Sequence, residues 1–163
     1  MVLTPSFVGT NGIGGSAQTP GTNVAYAKSV SIPANSVLSH IEGFLALTDA
    51  SSMAFRVGVW DDNAGAPGVL RCLSPMPQTN AILTGGTDRW WGAPVAMWFA
   101  ALTTVWIGIH IFDPTGTTLA FVSGTGSDRS IASGGVWTGE TGAAGVTVTN
   151  TTHDYSIRGL VIT

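Results

Sequence analysis

The run VGVWDDNAGAPG, Val57 to Gly68, sets two adjacent carboxylates, Asp61 and Asp62, beside Asn63 and Gly65. That is how a loop for a hard cation such as calcium would open, and such a cation needs about six to eight oxygen ligands. The likeness stops early. Cys72 and Leu73 stand where a closing Glu would be, and the glycine comes one residue too soon for an EF-hand. The competing reading is a strand corner. Asp61, Asp62 and Asn63 accept backbone N–H bonds, Gly65 and Gly68 supply positive φ, and Pro67 fixes φ. A corner is the expectation, with no metal and no cofactor held there.

Other chemistry-bearing residues are scattered. GIGGSA, Gly12 to Ala17, fits a dinucleotide fingerprint, but Gln18-Thr19-Pro20-Gly21 follows it instead of a helix whose N-terminus could hold a pyrophosphate. His40, His110 and His153, the last followed by Asp154, could each supply a base, yet no G-x-S-x-G elbow marks a nucleophile, and Ser127 sits in a hairpin-like corner. Cys72, the only cysteine, lies in the apolar GVLRCL, where burial would raise its pKa and leave it inert. The expectation is therefore a protein that is not an enzyme.

The six tryptophans carry more information. Trp60, Trp98, Trp106 and Trp137 lie in or beside apolar alternating runs and read as core or inter-subunit anchors. Trp90 and Trp91 are adjacent, and neighbours in a strand point to opposite faces, so one ring must leave the core. That ring stacks on a sugar, packs into a partner subunit or lies under a loop; Asp88 and Arg89 are its polar neighbours.

The elements that position these residues are strands. Phe55, Val57 and Val59 alternate with Arg56, Gly58 and Trp60. Ile41, Gly43, Leu45 and Leu47 alternate with His40, Glu42, Phe44 and Ala46, and Tyr155, Ile157, Gly159 and Val161 with Ser156, Arg158, Leu160 and Ile162. Ala93 to Phe112 is long and apolar enough to suggest a membrane span, but Pro94 and the Thr103-Thr104 pair interrupt it. Its second half alternates Val105, Ile107, Ile109 and Ile111 with Trp106, Gly108, His110 and Phe112, so two buried strands are expected. Turn clusters separate the blocks and no capped 3.6-residue period is present, which predicts an all-β antiparallel sandwich. Residues 1–27, with no charged side chain, are expected as an extended N-terminal arm packed on the sandwich or on a neighbouring subunit, and residues 28–163 as the sandwich domain.

Only 9% of the 163 residues are charged, against about 25% in an average soluble protein, while 44% are hydrophobic and 22 are glycine. Few like charges keep copies apart, so close packing against neighbours is the natural use of such a surface. Six Lys and Arg and a net charge of -3 supply no basic stripe for phosphates, and nucleic acid is not an expected partner. Neither is a membrane. The first residues, MVLTPSFVGTNGIGGSAQ, have no basic n-region and no unbroken apolar h-region, so they are not expected to be a secretion signal.

FRVGVWDDNAGAPGVLRCL, Phe55 to Leu73, resembles the strand-turn-strand signature of jelly-roll-like β-sandwich modules of phage virion proteins and of some bacterial surface proteins. RWWGAPVAMWFAALTTVWIGIHIF resembles their aromatic strand pair, and SVSIPANSVLSHIEGFLAL the pair that precedes both. The likeness covers Lys28 to Phe112. It implies a jelly-roll-like fold and a virion setting. The function expected from it is capsid decoration: a homotrimer on the capsid exterior, assembled in the host cytoplasm and bound to the major capsid protein. The interface candidates are Val2, Leu3, Phe7, Val8, Trp90 and Trp91. The alternative is a tail or fibre module that binds a glycan or receptor.

Overall fold

The computed structural model describes residues 3–21, 23–47, 54–74, 78–79, 89–112, 117–123, 126, 128–133 and 146–163. Val2, Asp88, Ser127 and Trp137 lie outside them. The described residues form strands and no helix: β1 (Pro5–Gly9), β2 (Ser16–Gln18), β3 (Val24–Ile32), β4 (Ser36–Leu47), β5 (Ala54–Asp62), β6 (Pro67–Leu73) and β7 (Gln78–Thr79). They continue with β8 (Arg89–Phe99), β9 (Thr103–Ile111), β10 (Thr117–Ser123), β11 (Arg129–Ser133), β12 (Val146–Asn150), β13 (His153–Tyr155) and β14 (Ile157–Ile162). All pairings are antiparallel.

Two sheets make a sandwich-like, all-β fold. In the first, β1 pairs with β14, β14 with β4, and β4 with both β8 and β10; β2 and β13 add to β10. The second runs β12-β11-β3-β9-β5-β6, with β7 also on β5. The expected alternation decides what lies between them. Ile41, Leu45, Val57, Val59, Ile107, Ile109, Ile157 and Val161 are fully buried in one cluster, each such side chain contributing about 1.5–3 kcal/mol. The ladders of β4 with β14 and with β8 both shift register between Leu38 and His40, so Leu38 and Ile41 are both inward although they are three residues apart.

The boundary expected between Ala27 and Lys28 falls inside β3. Ala25, Tyr26 and Ala27 are buried in the core. Upstream, β1 pairs with β14 from Pro5↔Ile162 to Gly9↔Arg158, and β2 pairs with β10. Residues 1–27 therefore include paired strands of the sandwich, because backbone N–H and C=O groups beside a sheet edge are satisfied by joining it.

The second sheet is buried on both faces over its middle, around Trp60 and Trp106. Its outward residues Trp60, Trp106, Ala25, Ala27 and Ile131 form a further core with Leu70, Leu73 and Val148. Trp60 lies over Gly58 and Gly108. A Cβ on Gly58 would meet Trp60 Cη2 at 2.7 Å, and one on Gly108 would meet Tyr26 O at 2.6 Å and Trp60 Cζ3 at 3.0 Å. Only glycine leaves room for an indole flat on the sheet. Twice, β6 inserts an extra residue against β5, which bends the hairpin over this face, and its tip is tied down where Arg129 Nη2 donates to Gly65 O at 2.8 Å.

Candidate functional site

The corner from Asp61 to Gly68 closes the β5-β6 hairpin, with Trp60 opposite Leu70 and Asp62 opposite Pro67. Asn63 and Ala66 exchange backbone hydrogen bonds at 2.8 and 3.2 Å, leaving a two-residue loop, Ala64 at φ 52° and Gly65 at φ 83°. Both angles positive is the type I′ hairpin geometry, whose twist matches that of the strands. Gly68 was expected to supply positive φ and does not; Ala64 does. Gly68 is needed instead for space, since a Cβ there would meet Asn63 Cβ at 3.0 Å and Asp61 O at 3.2 Å.

The two carboxylates are occupied within the fold. Asp61 pairs with Arg71 at 3.3 Å, while Asp62 accepts Trp106 Nε1–H at 2.8 Å and Gly65 N–H at 3.3 Å. A groove of about 500 Å³ runs between this corner and Val148, with Pro67 and Val69 on its wall. Among the described residues no three His, Cys, Asp or Glu converge as metal ligands.

The histidines occupy three separate places. His40 is exposed beside Ser39. His153 stacks on Tyr155, ring centroids 5.6 Å apart. His110 is buried on the outward face of β9, its ring 4.4 Å from that of Phe112; burial, then the charge of Arg56, pushes its pKa down to about 4. Cys72 packs partly against the core with its pKa raised by burial, as expected.

A buried polar cluster, which the sequence reading missed, sits where β3 meets β13. Lys28 is the only lysine of the chain, and it is 8% exposed. Its Nζ donates to Asp128 at 3.2 Å and is paired with Asp154 on β13. Asp128 Oδ2 also accepts the backbone N–H of Tyr155 at 2.7 Å, and Asp154 accepts the hydroxyl of Thr10 at 2.8 Å. Burial raises the Asp128 carboxyl despite the opposing pull of Lys28. For Asp154, hydrogen bonds from Lys28 and Thr10 outweigh burial and hold it low. The rings of Tyr26 and Tyr155 meet edge to face 5.0 Å apart in the same region, and burial pushes the Tyr155 phenol up to about 12. The only sequence signal for this cluster was a lone lysine among apolar residues.

The outer face of the first sheet is the opposite case, because apolar residues cross it in the open. Register aligns Pro5, Ile162, Val37 and Trp98 in one row over β1, β14, β4 and β8, and Phe7, Leu160, His40 and Pro94 in the next. Trp98 is 58% exposed and Phe7 40%; Leu102, in the turn after β8, is 72% and Leu3 62%. Beyond these rows, Arg158 lies 4.0 Å from the ring centroids of both Phe7 and Trp90 and donates to Glu42 Oε2 at 2.7 Å. Phe44 meets Trp90 edge to face at 5.7 Å.

Five of the expected interface residues are thereby sorted. Phe7 and Trp90 share this face and Leu3 is exposed before β1, whereas Val8 packs inward. Trp91 is also inward, beside Arg89 at 5.0 Å. The outward ring of the Trp90-Trp91 pair is covered by Arg158 of its own chain, an arrangement outside the three considered. Trp98, expected as a core or an inter-subunit anchor, is outside the core and is the open indole. The chain matches no family model, no curated protein and no solved structure.

Proposed function

We propose that this protein is a jelly-roll virion module that decorates a phage capsid, docking through the outer face of the first sheet. Two runs of neighbours support the jelly-roll reading: β1-β14-β4-β8 in one sheet and β3-β9-β5-β6 in the other. With β1, β3, β4, β5, β6, β8, β9 and β14 taken as successive strands, each sheet has the order that two wound Greek keys produce.

The observation that carries the docking proposal is the apolar row that ends in Trp98, flanked by the row of Phe7, Leu160, His40 and Pro94. An open indole on a sheet face whose nearby charges, Arg158 and Glu42, are paired with each other fits the centre of a protein interface, where aromatic anchors dominate the energy. Capsid subunits held together by such a bridge resist opening because rupture must also break the decoration contacts. In this reading the protein sits on the capsid exterior against the major capsid protein, with its own copies meeting as a trimer.

The test is co-sedimentation of purified protein with capsids, together with their disruption temperature. Bound protein should raise that temperature, and Trp98→Ser should weaken binding by about 30-fold, the loss of one hot spot of about 2 kcal/mol. Unchanged binding by Trp98→Ser and Phe7→Ser together would reject this face. Binding to host-cell glycan with no capsid binding would instead establish the tail or fibre function, with Trp98 as the stacking ring.

A further inference from the structure

We propose that Lys28 and Asp154 join covalently, their side chains condensing to an intramolecular amide with Asp128 as the proton shuttle. The site is assembled from three distant parts of the chain. Lys28 is on β3, Asp154 is 126 positions later on β13, and Asp128 immediately precedes β11. Nζ of Lys28 sits between the two carboxylates, 3.2 and 3.1 Å from the oxygens of Asp128 and in contact with Oδ1 of Asp154. Asp128 is 4% exposed and is held from behind by the N–H of Tyr155, while Thr10 fixes the attacked carboxyl of Asp154.

The chemistry needs no outside reagent. Two carboxylates share one ammonium: Asp128, the more buried of the two, takes one proton from Nζ and passes it to the Asp154 carboxylate as the free amine attacks. The Nζ lone pair attacks Cγ of Asp154 and a C–N bond forms. Asp128 takes a proton from nitrogen and delivers one to the departing oxygen, the Cγ–O bond breaks, and one water leaves. Nothing is oxidised or reduced, and Asp128 ends as it began. Burial of both Lys28 and Asp128 opposes the return of water, and fixed proximity replaces a bimolecular encounter. The product would staple β3 to β13 and close most of the chain into a loop, restricting the unfolded state as a disulfide does. The raised pKa of Asp128 suits a group that must carry a proton.

Intact-mass spectrometry of the purified chain tests this. The expected mass is one water below that of the sequence. Trypsin should release residues 1–56 joined to residues 130–158, because Lys28 is no longer cleavable. As Lys28 is the only lysine, the denatured protein should offer no ε-amine to an amine-reactive label. Asp128→Ala should restore the full mass and the labelling while Lys28 and Asp154 remain. Wild-type protein of full mass whose Lys28 is labelled after denaturation would overturn the proposal, whether or not the variant folds. So would a water lost elsewhere, such as a succinimide, with Lys28 still cleaved and labelled.

Discussion

The outer faces of the two sheets use the same amino acid in opposite ways. On the second sheet Trp60 and Trp106 are 0% and 2% exposed, bedded on Gly58, Gly108, Ala25 and Ala27 and closed over by the bent β5-β6 hairpin. On the first, Trp90 is half-covered by Arg158 and Trp98 is open. The difference is in what surrounds each ring. Small residues and two bulges let the second sheet fold over its own aromatics, whereas the first sheet carries Phe7, Leu160, Ile162 and Pro5 across a face on which Phe7 and Trp98 stay exposed. A buried indole stabilises the fold, and an open one is available to a neighbour.

The largest break in this comparison is expected at the glycine floor. Gly108→Val drives new atoms into Tyr26 O and the Trp60 ring. It should cost about 3 kcal/mol or more in urea unfolding, or prevent folding. Trp60→Ala should be comparably severe, about 3–5 kcal/mol.

His110 gives a pH-dependent version of the same test, since it shares the buried outward face with Arg56 and Phe112. Its native pKa lies below the ordinary 6.5, at about 4, so between those values the unfolded chain binds a proton that the native chain does not. Stability should therefore fall as pH drops from 6.5 to 4, by up to about 3 kcal/mol, and level off below. His110→Leu should flatten that slope in denaturant midpoints measured across the window; an unchanged slope would place the titration elsewhere.

Smaller effects sharpen the contrast. Asp62→Ala strips the indole N–H of Trp106 of its acceptor and should cost about 1–3 kcal/mol. Trp98→Ser, on the open face, should change the unfolding midpoint by less than about 1 kcal/mol while weakening capsid binding. If the two variants destabilised the fold equally, the distinction between a closed and an open aromatic face would fail.

Much of this was legible in the residues. Alternation through Phe55, Val57 and Val59 and through Val105 to Ile111 fixed the strands and their inward faces, and DDNAGAPG marked the corner that joins β5 to β6. What alternation could not show is the fate of the other face. Gly58, Gly108 and His110 read only as the side away from the core, and Trp60 and Trp106 as anchors of a core or of a subunit contact; the curl of the second sheet buried all five within the chain. The candidate face was half-legible: Phe7 and Trp90 were named, and Trp98 was grouped with the core or inter-subunit anchors, because which of those two it is depends on what packs above a strand.

By itself the sequence determined an all-β antiparallel chain, poor in charge, with a hairpin corner at Asp61 to Gly68, because local turn chemistry and a period of two act between near neighbours. Tertiary structure decided which apolar faces close and which stay open, and it brought Lys28, Asp128 and Asp154 together across most of the chain. Those outcomes depend on sheet order, bulges and curl, which are set by contacts between residues far apart in sequence and so leave no local pattern to read.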